Sequence, residues 1–376
     1  MRLIDTGDLE HWGNSLAAQS RLPYFVGKLI RAAVEPESLR MPSGDAVWVP
    51  GADGEVLNTK DSGFVPRGPS IWEVGTDKQI KKKADGDYKK RSKVDRKEAT
   101  FVFVTPRVWT KKKEWVAKRN AEGAWKDVRV IDGVDLKDWL ERSPAVSLQL
   151  AAEMGLVPEE GLETPEQAWQ KWSYLSSPPA SEEIAVVGRE EQEKELLRRL
   201  ADPPNAMTIQ GDSSREAWGF ALAVLRRISS AEERFNIEAR TIVTDSAEVA
   251  ERLQNRRNLI IVLKQATAQV SGFLTPRGCH VVVPVGTASY PEQSVIQLAR
   301  STHRPFVECL VMMGLSEEEA DRASRACGRS VTIMQRQRAA ANFEKPRWAE
   351  GSSPTTLLPA LLVYCLNNIF AVVGSS

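Results

Sequence analysis

Histidine and cysteine are scarce, with three of the first and four of the second in 376 residues. His11, His280 and His303 stand far apart, so no pair has the spacing of a zinc-hydrolase ligand set. Cys279, Cys309, Cys327 and Cys365 form no C-x-x-C pair. That argues against a zinc ribbon and a disulfide framework, and suits a reducing, cytoplasmic compartment. Cys279-His280 reads as the entry to a strand rather than as a nucleophile with its base. Met1-Arg2-Leu3-Ile4 runs straight into acids without an apolar leader, so no signal peptide is expected. A charge excess is lacking too: 51 Lys and Arg against 50 Asp and Glu leave a net +1. Affinity for a polyanion therefore has to come from local clusters. The apolar run at 356–373 is broken by Pro359 and Asn367-Asn368 and has no basic flank after it. It reads as a packing helix that belongs against further domains rather than as a membrane anchor, and no membrane partner is expected.

Against these shortages, one stretch concentrates chemistry: residues 50–91, PGADGEVLNTKDSGFVPRGPSIWEVGTDKQIKKKADGDYKKR. Asp53 follows a Pro-Gly turn. After a Gly- and Pro-rich excursion, a short apolar strand, Ser70-Ile71-Trp72, delivers a second acid, Glu73. A lysine-rich helical segment comes directly behind. Two carboxylates on neighbouring strand ends can hold a hard divalent ion through oxygen. Such an ion polarises a phosphodiester and acidifies a bound water, and a nearby cation stabilises the transition state. Without that chemistry, the same residues would make only a hairpin and a solvated basic helix.

This order resembles the PD-(D/E)XK nuclease superfamily, and within it the Mrr-like restriction endonucleases, over about the first 150 residues. The resemblance implies a metal-dependent DNA endonuclease with magnesium (Mg2+) or manganese (Mn2+) held by Asp53 and Glu73, and double-stranded DNA as partner. One position departs from the pattern. Two residues after Glu73 a lysine belongs, and Gly75 stands there. Some branches of the superfamily carry that lysine on the following helix. Lys83 is the candidate, because Lys83, Asp87 and Arg91 recur at i, i+4 and i+8 and share one helix face. Lys78 is the alternative. Lys78, Lys89, Lys90, Arg91 and Arg107 are candidates for binding DNA phosphates.

In chain order, residues 8–35 read as helical, with Phe25, Val26, Leu29 and Ile30 at helix spacing. Gly44–Val49 alternates as a strand. Thr100–Thr105 is a continuous β-branched and aromatic run, buried on both faces, ending at Pro106-Arg107. A basic helix at Lys111–Asn120, a strand at Asp127–Asp132 and a helix from Leu136 follow. The proline-punctuated residues 144–182 read as a connector with a domain boundary near Pro178-Pro179.

The second half resembles the STAND class of P-loop NTPases: Val187-Gly188-Arg189-Glu190, a helix, then strand and loop at Met207–Ala217. A working phosphate loop reads G-x-x-x-x-G-K-[ST]. Here Gly211 keeps the first place, but Glu216, Ala217 and Trp218 replace the second glycine, the lysine and the hydroxyl. Lys264 follows Asn258–Leu263 where an acid would hold magnesium. No ATP hydrolysis is expected, and weak or no ATP affinity. Arg189 and Gly211 are the residual nucleotide-binding candidates.

The fold class expected is α/β: a restriction-endonuclease-like core, then a P-loop NTPase-like doubly wound parallel sheet with a small helical subdomain. The divisions expected are 1–150 (nuclease-like), 151–182 (linker), 183–300 (degenerate NTPase-like) and 301–376 (helical subdomain that continues beyond this sequence). Three functions compete: a DNA endonuclease effector of bacterial defence, a DNA-binding scaffold that has lost both chemistries, and a nucleotide-gated switch that forms homo-oligomers.

Overall fold

The computed structural model of the chain describes residues 3–42, 51–92, 96–156, 161–253, 256–265, 278–287 and 295–340. The strand expected at Gly44–Val49 and the apolar run at 356–373 lie outside the described residues. The architecture is α/β with mixed sheets. Two compact units form. One comprises Met1–Thr164, Ile228–Ile261 and Arg277–Cys279, and the other Pro165–Arg227, Val262–Pro276 and His280–Ser376. The chain thus returns to its first unit after entering the second, unlike the linear division expected from sequence.

The first unit opens with α1 (Thr6–Trp12) and α2 (Leu16–Ala33). Asp5 and Asp8 form a reciprocal capping box at the start of α1, and Ser15 caps α2. The helical stretch expected over 8–35 is therefore two helices, parted at Gly13–Ser15, where Gly13 caps the end of α1 and Ser15 caps the start of α2. A five-stranded sheet follows from β1 (Ser38–Arg40), β2 (Gly54–Asn58), β3 (Gly68–Val74), β4 (Arg96–Val104) and β5 (Trp125–Ile131), in sequential order. The first two pairings are antiparallel and the last two parallel. Between them run α3 (Ile80–Arg91) and α4 (Lys112–Ala121), and α5 (Gly133–Arg142) and α6 (Pro144–Glu153) close the segment.

The two-residue period of the strands sorts the core onto both faces of the sheet. Trp72, Val102 and Val104 face one way, against Phe25, Leu29 and Trp139. Ile71, Phe101 and Phe103 face the other, against Ala84 and Tyr88 of α3 and Trp115 of α4. Burial on both faces over Ala99–Val104, the second part of β4, explains the apolar run Phe101–Val104. Since Trp72 points away from α3, Glu73 points toward it.

The presumed connector is largely ordered structure. Pro144 opens α6, where its fixed φ and missing N–H suit the first helical turn. After it come β6 (Leu162–Glu163), α7 (Pro165–Ser173), α8 (Glu182–Val186), α9 (Glu190–Ala201), β7 (Ala206–Gln210), α10 (Ser214–Arg227), α11 (Ala231–Glu238), β8 (Thr241–Thr244), α12 (Ala247–Leu253), β9 (Leu259–Leu263), β10 (Cys279–Val285), β11 (Val295–Gln297), α13 (His303–Met312), α14 (Glu317–Ala326) and α15 (Val331–Gln337). The second sheet has the order β11-β7-β10-β9-β8-β6. β7 pairs in parallel with both β10 and β11, whereas β6 is antiparallel to β8, so this sheet is mixed rather than wholly parallel. Among the described residues, no helix is long and apolar enough to cross a membrane.

Candidate active site

Gly54 pairs with Trp72 in the β2–β3 ladder. One step further along, Asp53 stands opposite Glu73, and opposed residues of an antiparallel pair share a face. Asp53 Oδ2 accepts a hydrogen bond from the Val74 backbone N–H at 2.8 Å, which fixes the carboxylate at the end of β3. Next to it, Gly54 leaves room for Met41 on the other face of the sheet: a Cβ there would stand 2.5 Å from Met41 Sδ and 3.1 Å from Trp72 Cβ.

The Glu73 side chain is only 2 % exposed. Its Oε1 accepts from Arg91 Nε, and Arg91 Nη2 donates to the Gly51 carbonyl. One guanidinium thus joins the end of α3, the end of β3 and the turn before Asp53. Burial pushes the Glu73 carboxyl up to about 8, the Asp53 charge adds to the effect, and Arg91 opposes it. Packing Ala84 and Tyr88 onto the sheet turns the Lys83–Asp87–Arg91 face of α3 toward these acids. Lys83 Nζ lies 3.1 Å from Asp87 Oδ2. Burial works against the Lys83 charge, but Asp87, Asp53 and Glu73 outweigh it and raise the pKa above the ordinary lysine value. Burial likewise raises the Asp87 carboxyl, against the pull of Lys83.

The lysine reaches this position across Gly75. A Cβ on Gly75 would lie 2.9 Å from Lys83 Cγ and 3.3 Å from Lys83 Cε. The side-chain space of residue 75 is therefore filled by the stem of Lys83.

Among the described residues, no group of three or more His, Cys, Asp or Glu side chains is arranged to hold a metal ion. The donors that could serve are the hard oxygens of Asp53 and Glu73, and the internal bonds engage one oxygen of each, Oδ2 and Oε1. One or two carboxylates with retained waters suit Mg2+. A pair of this kind fits such an ion and does not fit a dedicated all-protein cage.

Lys78, Lys82 and Lys83 line a cavity of ≈ 490 Å³ with Asp77, Gly86 and Asp87. Lys78 and Lys82 also line a neighbouring one of ≈ 630 Å³ that reaches Trp109. Lys78, Lys89 and Lys90 are exposed, and Lys90 is near enough to act on the Asp87 charge. The two arginines named for DNA are engaged within the protein. Arg91 holds Glu73 and Gly51, as described. Arg107 donates to Thr76 O at 2.7 Å, Asn14 Oδ1 at 2.9 Å and Gly13 O at 3.2 Å, tying the loop after β3 to the α1–α2 turn. Sequence reasoning missed these positioning roles; for Arg91 the shared helix face with Lys83 was the only signal.

In the second unit, the nucleotide-binding candidates need correction. Arg189 is 3 % exposed and donates to Ala299 O, Ala185 O and the Glu216 carboxylate. It is an internal strut because Glu216 supplies its counter-charge. The Gly211 N–H donates to Val285 O at 3.1 Å, so the loop's first glycine extends the β7–β10 pairing. A second arrangement has the look of a hydrolytic triad: His303 bridges Asp321 at 2.8 Å and Ser324 at 3.0 Å. Ser324 has no exposed surface, so its hydroxyl cannot attack a substrate, and the bonds clasp α13 to α14. No family model, no curated protein and no solved structure matches this chain.

Proposed function

We propose that the chain is a metal-dependent DNA endonuclease effector, serving in the cytoplasm in bacterial defence against foreign DNA, and coupled to a degenerate NTPase-like module. The observation that carries this reading is the passage of Lys83 across Gly75 toward the Asp53–Glu73 pair. Beside the two acids the chain supplies Lys83, paired with Asp87, and Arg91, bonded to Glu73; of these two cations it is Lys83 whose stem fills the space where a side chain of residue 75 would lie.

Asp53 and Glu73 would hold the ion. When bound, a divalent ion supplies charge against the scissile phosphate and acidifies a water. Lys83 is placed to meet the negative charge that builds on the phosphoryl oxygens as water adds and the sugar oxygen departs. Asp87 holds the ammonium and keeps it protonated. Arg91 keeps Glu73 against the turn that carries Asp53. Exposed Lys78, Lys82, Lys89 and Lys90 supply the charge that receives the DNA backbone.

A non-catalytic DNA-binding scaffold is the second reading. It is favoured by the Arg91–Glu73 bond, which already gives the buried acid a cation. Supercoiled double-stranded plasmid incubated with the full chain and Mg2+ or Mn2+ separates the two. Nicked or linear product, lost with chelator and with Asp53→Asn, supports the endonuclease. Plasmid retarded in a gel but intact under both metals supports the scaffold.

A further inference from the structure

Glu216 lies in the first turn of α10, where a phosphate loop would present its ligand. Its carboxylate is 2 % exposed. Oε1 accepts from Arg189. Oε2 accepts from the Asp212 backbone N–H at 3.2 Å and from the Thr332 hydroxyl at 2.9 Å. Ser213 Oγ, 2.8 Å from Thr332 Oγ1, accepts from the Glu216 N–H at 3.2 Å. Arg300 adds a second cation at the loop, 3.0 Å from Asp212 Oδ2.

An ordinary helix cap would account for the Ser213 and Asp212 bonds, because a glutamate in the first turn often reaches back to loop N–H groups. It would not account for the rest. A cap sits in water and needs no arginine, whereas here a buried guanidinium arrives from before α9 and a hydroxyl from the start of α15. A backbone N–H at a helix N-terminus, a guanidinium and a hydroxyl converging on two oxygens form the donor set of an anion seat.

We infer that Glu216 is a built-in anion occupying the phosphate seat of the β7–α10 loop and, through Thr332, latching α15 to it. The loop keeps its anion-binding geometry without an external ligand. A phosphate and Glu216 cannot both occupy the seat, so the parent chain binds inorganic phosphates poorly for steric and electrostatic reasons, not only because Ala217 replaces a lysine. The inference does not depend on the nuclease reading.

Thermal unfolding of the full chain with and without inorganic pyrophosphate tests it. Glu216→Ala leaves Arg189 buried without its partner and should melt lower than the parent. Pyrophosphate should restore much of that loss and bind the variant at least about tenfold more tightly than the parent. Equal stabilisation of both proteins by pyrophosphate, or a variant that melts like the parent and gains nothing, overturns the inference. If Glu216→Ala does not fold, Thr332→Val keeps the buried ion pair and reads the latch alone. Amide exchange across Val331–Gln337 should then quicken by about tenfold while β7 is unchanged. Unaltered exchange there overturns the latch.

Discussion

Lys83 and Gly75 are complementary in shape: the lysine stem lies where a Cβ of residue 75 would be, 2.9 Å from Cγ. A contact under about 3 Å cannot persist, so a side chain at 75 must displace the lysine. Gly75→Ala should lower cleavage as Lys83→Ala does, although residue 75 offers no functional group. Loss of a group that acts in the transition state lowers turnover by about 100-fold with little change in DNA affinity. Single-turnover cleavage and a DNA-binding isotherm for each variant check this. If Lys78→Ala is inactive while Lys83→Ala cuts like the parent, Lys78 is the working cation.

Arg91 and Lys89, both basic and both late in α3, should behave differently. Arg91 fixes Glu73 to the turn that carries Asp53, so Arg91→Ala should abolish cleavage and leave the salt dependence of DNA binding nearly unchanged. Lys89 is exposed, and Lys89→Ala should weaken binding modestly and reduce the salt slope by about one. Binding titrations at several ionic strengths distinguish them. A reduced slope for Arg91→Ala would return that residue to the DNA interface.

Function and stability should oppose one another at Glu73. Burial and the Asp53 charge disfavour its ionised form despite Arg91, and the carboxyl is pushed up to about 8. Glutamine keeps the shape and an acceptor for Arg91 without the charge. Glu73→Gln should therefore be inactive yet melt no lower than the parent in metal-free buffer. A large drop in melting temperature would mean that the charged pair holds the fold together.

Asp132 should have the opposite sign. It caps α5, accepts the Trp109 N–H at 2.9 Å and binds Lys112 Nζ at 2.7 Å. Burial opposes its ionisation, but Lys112 and the backbone N–H groups outweigh burial and hold the carboxyl below its ordinary 3.8. The folded state therefore releases this proton more readily than the unfolded one. The resulting stability is present above the ordinary value and is lost as pH falls through the depressed one. Asp132→Asn should cost about 2 kcal/mol at neutral pH and flatten the acid limb of the stability curve. Urea titrations across the acid range measure both.

The second unit should hydrolyse no ATP. Ala217 is fully buried and offers no charge, and the carboxylate of Glu216 already takes the Arg189 guanidinium and the Asp212 N–H. Steady ATP turnover by the purified chain, abolished by changing Gly211, would contradict this.

How much of this was legible follows from distance along the chain. The α/β class was legible, since burial on both faces writes itself into the end of β4 as the apolar run Phe101–Val104. So was the face of α3, because helical period alone sets Lys83, Asp87 and Arg91 in line. The bond from Arg91 to Gly51 O was not legible. It spans 40 residues, and no local pattern distinguishes an arginine turned inward from one turned to solvent. The same holds for Arg189 and Glu216, read separately as a nucleotide contact and a defect in the loop, although each exists to neutralise the other. Pro144 misled for another reason. Proline ends one helix and opens the next equally well, and only the packing of Val146 and Leu150 into the core decides between the two.

The most direct measurement is the Mg2+-dependent plasmid cleavage rate of the parent, Lys83→Ala and the double variant Gly75→Lys/Lys83→Ala. If Lys83 acts through the space left by Gly75, the single variant should lose activity by about 100-fold and the double variant should recover a measurable part of it. A parent that leaves plasmid intact, or a Lys83→Ala variant that cuts at the parent's rate, would contradict the assignment.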